Sequence, residues 1–417
     1  MSGRDADLAI LGGGLAGGLT ALALCALRPD LRVVLVEEGE RCGGNHVWSF
    51  FDTDIDEDAR WLVEPLVVHH WDSHGVRFPG GDRTLPMGYN SITSARLDAV
   101  LEQALPVGML LRGVGAVEAG AHHVTLADGR RIDTGAVIDA RGSSRFPGLA
   151  GGWQKFVGQV VRTGPHGMTA PIIMDARVEQ HDGFRFVYVL PFSPDTLFVE
   201  DTYYSDTPRL DRDALAGRIA DYLRDLGLTG EVLGEEQGVL PVVAGGDGAA
   251  FLNGGHGAGV ARIGARAGLF HPLTSYSLPD AVRMALAIGH ACSFTPGALE
   301  ALCEGHALAH WRGGAWLRLL ARLMFGAGLS GQRWRIFERF YRQSDGLIAR
   351  FYAGRMRGRD RLRLLIGRPP VPLGRAIATL LGRGAPLARL DGMDLLRGPA
   401  VSALPPHRGH AASGVTA

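Results

Sequence analysis

Two adjacent carboxyl residues, Glu200 and Asp201, lie within an otherwise apolar and aromatic stretch at residues 198–204. Apolar surroundings raise the pKa of a carboxyl group, so it can stay protonated at neutral pH and act as a general acid. In an extended strand, successive side chains point to opposite faces. The pattern therefore predicts that only one of the two carboxyl groups faces a substrate. An ion-paired couple at the surface is the alternative interpretation.

A glycine-rich turn near the amino terminus has the pattern of a dinucleotide-binding loop. An apolar strand at residues 7–11 enters a Gly-x-Gly-x-x-Gly turn that opens a helix, and a second apolar strand at residues 32–36 ends in Glu37. In this arrangement the turn and the helix N-terminus hold a pyrophosphate, and the carboxylate binds a ribose. The residues predicted to hold the pyrophosphate are Gly12, Gly14, Leu15, Ala16 and Gly17.

Nicotinamide enzymes and flavoproteins can share this opening, and a second glycine-rich segment at residues 262–272 favours FAD. An ordinary turn between a strand and a helix is the alternative interpretation of that segment. The further residues expected to contact the cofactor are Arg141, Gly264, Ala265 and Pro272. His271 could relay protons near a flavin, and a structural role is the equal alternative.

Composition bounds the class of protein. The chain has 417 residues, of which 46% are hydrophobic and 21% charged, as expected for a globular protein of two or three structural units. A formal net charge of zero gives no reason to expect a nucleic-acid partner. Four scattered cysteines predict a reducing cytoplasm without a metal site. We expect neither a signal peptide nor a membrane span, and the sequence gives no oligomeric state.

The carboxyl-terminal third carries an uneven charge. Between Arg312 and Arg397, eighteen arginines are set against five acidic residues, with aromatic residues interleaved. This pattern predicts a basic surface that docks peripherally on an anionic membrane. A plain solvated face is the alternative.

The organisation along the chain predicts an α/β protein. Its Rossmann-type, hydroxylase-like FAD-binding domain is interrupted by an antiparallel β substrate domain and followed by a helical region. We assign residues 1–50, 95–150 and 240–295 to the discontinuous FAD-binding domain, and 51–94 and 151–239 to the β-rich substrate domain. Residues 296–400 are expected to be helical, basic and membrane-facing, and 401–417 to form a disordered tail.

Several short segments together resemble the bacterial lycopene β-cyclases, a family of flavin-dependent carotenoid cyclases. They run in family order from about residue 7 to residue 375 and so cover some nine-tenths of the chain. The segments are Asn45-His46-Val47-Trp48-Ser49-Phe50, Tyr89-Asn90-Ser91-Ile92-Thr93-Ser94, Val137-Ile138-Asp139-Ala140-Arg141-Gly142, Asp182-Gly183-Phe184-Arg185-Phe186-Val187-Tyr188, Phe198-Val199-Glu200-Asp201-Thr202-Tyr203-Tyr204-Ser205-Asp206, residues 264–279, Arg339-Phe340-Tyr341 and Arg350-Phe351-Tyr352-Ala353-Gly354.

The resemblance implies a redox-neutral closure of the ends of lycopene, or of related linear carotenoids, to β-ionone rings. A proton adds to the terminal C1=C2 bond, the C5=C6 bond attacks the cation at C1, and a proton leaves C6. The family motif places its first acid at Glu200, which is therefore the expected proton donor, with Asp201 as its electrostatic partner. The flavin is expected to be reduced and anionic, to assist without net electron transfer, and to be kept reduced by NAD(P)H.

Two positions depart from the patterns of related proteins. Ala265 stands where FAD hydroxylases usually have the Asp that binds the ribityl chain, so we expect that contact to be made differently or to be absent. Ser275 stands where the family usually has Gly, which puts the turn geometry beside the flavin in question.

Aromatic residues and alternative functions complete the set of expectations. The residues Trp48, Phe50, Trp71 and Tyr89 fit either a plain core or a polyene tunnel whose π-faces stabilise a cation.

An FAD-dependent monooxygenase or isoprenoid reductase of the same architecture is the closest alternative function. A non-catalytic carrier of carotenoid or nucleotide is the alternative from another class.

Overall fold

The strands of the protein form three sheets. The computed structural model describes residues 4–143, 145–254, 259–367 and 369–391. In chain order the strands are β1 (Ala6–Leu11), β2 (Val33–Val36), β3 (Val47–Phe51), β4 (Val67–Trp71), β5 (His74–Phe78), β6 (Gly81–Leu85), β7 (Tyr89–Thr93), β8 (Leu110–Leu111), β9 (Ala116–Gly120), β10 (His123–Leu126), β11 (Arg131–Asp139), β12 (Leu149–Arg162), β13 (Ile172–Asp175), β14 (Phe184–Ser193), β15 (Thr196–Ser205), β16 (Glu231–Gly246), β17 (Val260–Arg262) and β18 (Ala388–Arg389).

The α-helices cover these sheets. In chain order they are α1 (Leu15–Leu27), α2 (Arg60–Val63), α3 (Ser94–Ala104), α4 (Arg212–Asp225), α5 (Gly248–Asn253), α6 (Leu278–Gly289), α7 (Pro296–Gly313), α8 (Ala315–Gly326), α9 (Trp334–Phe340), α10 (Asp345–Tyr352), α11 (Gly358–Leu365) and α12 (Leu373–Leu380). Helix α4 begins after Asp211, whose side chain accepts a hydrogen bond from the Ala214 N–H at 3.0 Å. Thr93 caps α3 in the same way, since its hydroxyl accepts a hydrogen bond from the Arg96 N–H at 3.2 Å, and Ser94 is the first helical residue.

The first sheet has a core of parallel strands, β8, β2, β1, β11 and β17, and an antiparallel edge formed by β10 and β9. Its order is β8-β2-β1-β11-β10-β9, with β17 beside β11. Strand β1 runs parallel to β2 and β11, and β11 runs parallel to β17. Strand β2 is buried along its whole length, as expected for a strand covered on both faces. The parallel order and the turn from β1 into α1 confirm the predicted Rossmann-type α/β class.

The second sheet is mostly antiparallel and has the order β16-β12-β15-β14-β13-β5-β6, with β18 beside β12. Helices α8, α9 and α10 pack on one face through a cluster that includes Phe325, Phe337 and Ile348. Helix α4 packs on the other face through Leu215 and Ile219. Because both faces are covered, alternate side chains of its central strands enter two different cores.

The third sheet, with the order β3-β7-β4, is antiparallel and carries the aromatic segment that follows the first β-α-β unit.

Two strands cross the limits expected for the domains. Strand β3 continues past residue 50, and β16 runs from Glu231 across residue 240 to Gly246. The tail expected at residues 401–417 lies outside the described residues.

The helical region after residue 296 differs from the expected surface. Its aromatic residues Phe325, Phe337, Phe340, Tyr341, Phe351 and Tyr352 are buried. Arg333 is also buried, and its guanidinium binds both carboxylate oxygens of Asp206 at 2.7 and 2.9 Å. The prediction that these aromatic residues and Arg333 form the exposed docking face is therefore wrong, because they close the core under the second sheet. In the described part of the chain, no helix is long and apolar enough to cross a bilayer.

Candidate active site

Glu200 lies near the centre of the second sheet. Strand β15 is hydrogen-bonded between β12 and β14, and Glu200 stands opposite Gly158 on the first and Tyr188 on the second. Only 9% of Glu200 is exposed. A Cβ atom at Gly158 would lie 2.5 Å from the Phe198 ring, so this glycine leaves the space that the ring beside Glu200 occupies. Sheet pairing on both sides therefore holds the carboxyl group at a defined place.

Asp201 points to the opposite face, as strand alternation predicts. Its Oδ1 accepts from Arg185 Nε at 2.7 Å, and its Oδ2 accepts from the Tyr203 hydroxyl at 2.7 Å. Arg218 in α4 donates in turn to the Tyr203 hydroxyl. Asp201 is fully buried in this network and does not line the cavity that Glu200 borders. The body of the sheet separates the two carboxyl groups, and Asp201 acts on Glu200 only through its charge, which adds to the rise in the pKa of Glu200 after burial and the charge of Glu236.

The face that carries Glu200 borders a cavity of about 200 Å³ between the second and third sheets. Aromatic and aliphatic side chains form much of its wall. They are Val47, Trp48, Tyr89, Phe156, Tyr188, Leu190, Phe198, Leu240, Tyr276 and Leu278. No arginine or lysine among the described residues lines this cavity. The cavity can therefore hold an apolar group next to a carboxyl group that has no cationic partner.

The environment of Glu200 favours its protonated form. Burial raises the pKa of Glu200 well above its usual range, and the negative charge of Glu236 raises it further. A hydrogen bond from the Thr202 hydroxyl to Oε1, at 2.5 Å, acts in the opposite direction. Burial outweighs that hydrogen bond, so the group is available as a proton donor at neutral pH.

Glu236 is a functional candidate that sequence reasoning missed. It lies on β16 opposite the same Gly158 that faces Glu200, so both carboxyl groups project from one face of the sheet. Glu236 is 2% exposed and lines the same cavity. Its Oε2 accepts from the Val47 N–H at 2.9 Å and lies 3.6 Å from Nδ1 of His46. The available signal was an acidic pair, Glu235-Glu236, inside a segment that otherwise alternates like a buried strand.

Three tyrosine hydroxyl groups meet at the cavity wall. The hydroxyl of Tyr276 lies 3.4 Å from that of Tyr89 and 3.3 Å from that of Tyr188. Burial raises the pKa of Tyr89 to about 12 and raises those of Tyr188 and Tyr276 well above their usual range. All three are therefore neutral, and they offer hydroxyl dipoles and aromatic faces rather than charge.

The other aromatic candidates differ in position. Trp48 and Tyr89 line the cavity. Phe50 packs in the core of the first sheet, and Trp71 stacks on His69 and Tyr89 behind the cavity wall. Trp48 and Tyr89 thus line the cavity, whereas Phe50 and Trp71 pack away from it.

Ser275 adopts the backbone conformation that a glycine would supply. Its φ is +59°, in the left-handed region that L-residues seldom enter. Its hydroxyl donates to the Pro241 carbonyl at 2.8 Å, which offsets part of the backbone strain and ties the turn to β16. The backbone at Ser275 thus has a conformation that glycine adopts readily, and Ser275 itself lines the cavity.

The turn after β1 has the geometry of a phosphate cradle. Gly12 has φ +94°, and a Cβ atom on Gly17 would lie 2.0 Å from the Gly12 carbonyl oxygen. A Cβ atom on Gly14 would meet nothing within 4 Å, so open space lies in front of the N-terminus of α1. Leu15 and Ala16 form the first turn of that helix, whose leading N–H groups have no partner within the helix. Close packing behind the turn and free space in front of it fit a bound pyrophosphate.

Glu37 stands at the end of β2 beside this cradle. Its carboxylate accepts from the Gly13 N–H at 2.6 Å and from the Gly39 N–H at 2.8 Å. The two bonds fix the carboxylate at the edge of the turn, at the place where a ribose is bound in dinucleotide folds.

The second glycine-rich segment reaches the first. Gly264 has φ +63°, and its Cβ position lies 2.8 Å from the Cβ of Ala16. Ala265 follows it in a short 3-10 turn, and the Pro272 carbonyl accepts from the Val243 N–H at 2.9 Å. Arg141 packs its backbone against Gly12, and its guanidinium binds the Asp139 carboxylate and the Ala116 carbonyl. The structure thus brings these four positions close to the phosphate cradle or to the cavity, while the charge of Arg141 is already paired.

His271 has a structural environment. Its Nε2 hydrogen-bonds the Phe351 carbonyl at 3.1 Å, and its Nδ1 accepts from the N–H and the hydroxyl of Thr274. Burial lowers its pKa to about 4, so the ring is neutral. It does not line the cavity beside Glu200. The structure therefore supports the structural alternative for His271 rather than a catalytic role.

Solved structures share this fold at low sequence identity. A flavin-dependent brominase superposes with a TM-score of 0.57 at 14% identity, covering 84% of this chain and 93% of the brominase. A geranylgeranyl bacteriochlorophyll reductase-like protein of Thermoplasma acidophilum superposes with a TM-score of 0.56 at 13% identity, covering 91% and 99%. These likenesses show the fold: the chain has the architecture of a Rossmann-type FAD-binding fold, with a glycine-rich cradle at the turn after β1.

Sequence comparison is more specific. The family model described as lycopene cyclase protein matches residues 7–378, and the chain belongs to the lycopene cyclase family. It is 44% identical over 372 residues to a lycopene beta-cyclase of Pseudescherichia vulneris, covering 89% of this chain and 96% of that protein. It is 42% identical over 377 residues to a lycopene beta-cyclase of Pantoea ananas, covering 90% and 98%.

Proposed function

We propose that this protein closes the ends of lycopene to β-ionone rings, giving γ-carotene and then β-carotene without net oxidation or reduction. The observation that carries this proposal is the buried carboxyl group of Glu200, whose pKa burial raises, on the wall of an apolar cavity that no arginine or lysine among the described residues lines. Family membership supplies the substrate class. The cavity offers the acid and the water-poor surroundings that a carbocation needs.

The proton balance of the reaction assigns roles to the residues of the cavity. Glu200 delivers its proton to C2 of the terminal C1=C2 bond and becomes a carboxylate. The C5=C6 bond then attacks C1, and loss of a proton from C6 restores neutrality, so one proton enters and one leaves per ring. The faces of Trp48 and Tyr89 stabilise the positive charge. The Oε1 of Gln154, which is buried without a hydrogen-bond partner in the described structure, adds an oriented dipole.

We propose FAD as the cofactor. The chain would hold it through the cradle at Gly12, Gly14 and Gly17, through Glu37, and through the segment from Gly264 to Pro272. When bound in reduced form, with NAD(P)H as reductant, FAD supplies negative charge beside the developing carbocation. The residues after Pro272 line the cavity of Glu200, which supports a flavin site next to the acid.

A glycine substitution tests the cofactor site independently of activity. Gly14→Val places a side chain in the open space of the cradle without a clash, so it should lower FAD affinity by about 10²-fold while leaving the melting temperature of the apoprotein unchanged. Gly217→Ala on α4, which also has open space around it, is the control. FAD binding is measured by flavin fluorescence, and equal affinities in the two variants would contradict the proposed site.

Product analysis tests the function itself. Expression in a bacterium that accumulates lycopene should turn red cells orange, and the product should have the mass of lycopene. A gain of oxygen would indicate a monooxygenase, and a gain of hydrogen an isoprenoid reductase. No conversion by purified protein with FAD and NAD(P)H would favour a carrier.

We further propose that the enzyme works as a peripheral protein on the cytoplasmic side of the bacterial inner membrane, since its substrate is a hydrocarbon dissolved in lipid. The docking surface is assigned to α11 and α12 with their flanking residues. Its exposed apolar side chains are Leu362, Leu365, Ile366, Leu373, Ile377, Leu380 and Leu381. The exposed arginines around them are Arg359, Arg361, Arg363, Arg375 and Arg383. An apolar face with a basic rim suits the boundary between acyl chains and anionic headgroups.

A triple substitution tests this surface. Leu373→Ser, Ile377→Ser and Leu380→Ser together should weaken binding to phosphatidylglycerol vesicles by about 10²-fold, because three apolar side chains no longer enter the lipid. The control replaces the exposed Val107, Val117 and Val232 with Ser. Equal loss of vesicle binding in both triple variants would contradict the assignment. Vesicle binding that is unchanged in both variants would contradict it too.

A further inference from the structure

We infer that Glu236 is the base of the ring closure and shares one proton with Glu200. The inference rests on the proposed function, and it assigns the second half of the proton balance, the removal of the proton from C6. Three features of the structure carry it: the common face of the two carboxyl groups, the opposite contacts that they make, and the route from Glu236 to solvent.

The common face comes from the register of three strands. Glu200 on β15 and Glu236 on β16 both pair with Gly158 on β12, which separates them. Neighbouring strands are about 4.8 Å apart, so the two backbones are about 10 Å apart. The Phe198 ring fills the space over Gly158, and Cγ of Glu236 would lie 3.3 Å from a Cβ atom there. Both carboxyl groups line the same cavity, which is the arrangement of one group on each side of a reacting carbon skeleton.

The carboxyl groups of Glu200 and Glu236 make different contacts, as separate roles of acid and base require. Glu200 receives a neutral hydroxyl from Thr202. Glu236 accepts a hydrogen bond from the backbone N–H of Val47 at 2.9 Å, and its Oε2 lies 3.6 Å from Nδ1 of His46. Two buried carboxyl groups that border one cavity and have different hydrogen-bond partners can divide acid and base work between them.

The ionisable groups around the cavity are few. Those that line it together with Glu200 are His46 before β3, Tyr89 on β7, Tyr188 on β14, Glu236 on β16 and Tyr276 before α6. Asp201 follows on the same strand but faces the opposite core, where Arg185 binds it. Glu236 is thus the second carboxyl group of the cavity, and after burial its charge is the next cause that raises the pKa of Glu200.

His46 connects this pair to solvent. Its side chain is 46% exposed while its Nδ1 lies 3.6 Å from Glu236. In each cycle Glu200 gives a proton to C2, Glu236 takes the proton from C6, and the proton returns from Glu236 to Glu200. His46 lets the pair equilibrate with water between turnovers, so no external acid or base is consumed.

The test is Glu236→Gln, which keeps an acceptor for the Val47 N–H and removes the charge. The expected kcat is about 10²-fold lower, because the base is lost. The alkaline limit of the remaining activity should move to lower pH by about one unit, because the repulsion that raises the pKa of Glu200 is gone. Glu236→Asp, which restores a carboxylate, should return the alkaline limit towards that of the parent protein.

Glu235→Gln is the matched control. Glu235 points to the opposite face, where it accepts from Gln159 and binds Arg212, so its substitution should leave the pH profile unchanged. Unchanged kcat in Glu236→Gln, or a fall in kcat with the same alkaline limit as the parent, would overturn the inference.

An infrared pH titration separates this inference from the proposed function. The carboxylic acid C=O stretch of Glu200, identified by its loss in Glu200→Gln, should titrate at lower pH in Glu236→Gln than in the parent protein. This shift would support proton sharing even if lycopene were not the substrate. If a folded, flavin-binding Glu236→Gln variant showed no such shift, proton sharing would be overturned even if lycopene were cyclised.

Discussion

On one face of strand β15 the carboxyl group of Glu200 borders an apolar cavity, and on the other face Arg185 and Tyr203 enclose the carboxyl group of Asp201. Both groups are buried, and burial raises the pKa of each. On the Asp201 face the charges of Arg185 and Arg218 oppose that rise. On the Glu200 face the neighbouring charge is that of Glu236, which adds to it.

The comparison teaches that adjacent residues of the same chemistry acquire separate roles from what packs against each face. A carboxyl group enclosed by a guanidinium and a phenol is a fixed structural ion. A carboxyl group that shares a cavity with a second carboxylate and aromatic rings is a proton donor. Four variants test this division, in order of decreasing expected effect.

The largest effect is expected for Glu200→Gln. The amide has no transferable acid proton, so cyclisation should fall by about 10³-fold or more. FAD binding and the melting temperature should stay near those of the parent protein, since the amide still fits the cavity. Turnover is measured by chromatography of carotenoids from detergent-solubilised lycopene. Activity within tenfold of the parent protein would place the acid elsewhere.

Asp201→Asn should act on stability instead of chemistry. It leaves Arg185 buried without its anion, and breaking a buried ion pair costs about 3–5 kcal/mol. The melting temperature should therefore fall by several degrees, while turnover per bound flavin stays within about threefold. Calorimetry and flavin-normalised rates measure the two quantities. A large loss of turnover without a loss of stability would indicate that Asp201 takes part in the reaction.

Thr202→Val should shift the pH dependence. Activity requires protonated Glu200, so it should decline as the pH rises through the pKa of that group. The Thr202 hydroxyl lowers that pKa, and its removal should move the decline to higher pH by about half to one unit. Because the pKa of Glu200 is raised by folding, its contribution to stability also falls as the pH rises above the usual range of Glu. A shift in the opposite direction would contradict the assignment of the acid.

The smallest effect is expected for Ser275→Gly. It relieves the strain of a positive φ but removes the hydrogen bond to Pro241, and each effect is worth about 1 kcal/mol. The melting temperature should change by no more than a few degrees. Ser275→Ala keeps the strain and loses the hydrogen bond, so it should be the less stable of the two. The reverse order would show that the hydroxyl does not support the turn.

Local patterns in the sequence determined a large part of this protein. The glycine spacing after β1 predicts the phosphate cradle, since close packing at Gly17 and a positive φ at Gly12 depend on residues within one turn. The apolar spacing of α4 and the alternation of β15 likewise depend on local periodicity. Alternation alone separated Glu200 from Asp201.

Only the tertiary structure decided which groups meet. Glu200 and Glu236 are 36 positions apart, and they face one cavity because both strands pair with β12 in a particular register. The pairing of Asp201 with Arg185, the burial of Arg333 and the satisfied ring of His271 also depend on distant segments. The physical reason is that side-chain direction follows from local backbone geometry, whereas protonation and burial follow from the charges and the solvent that remain around a group once the sheets have packed.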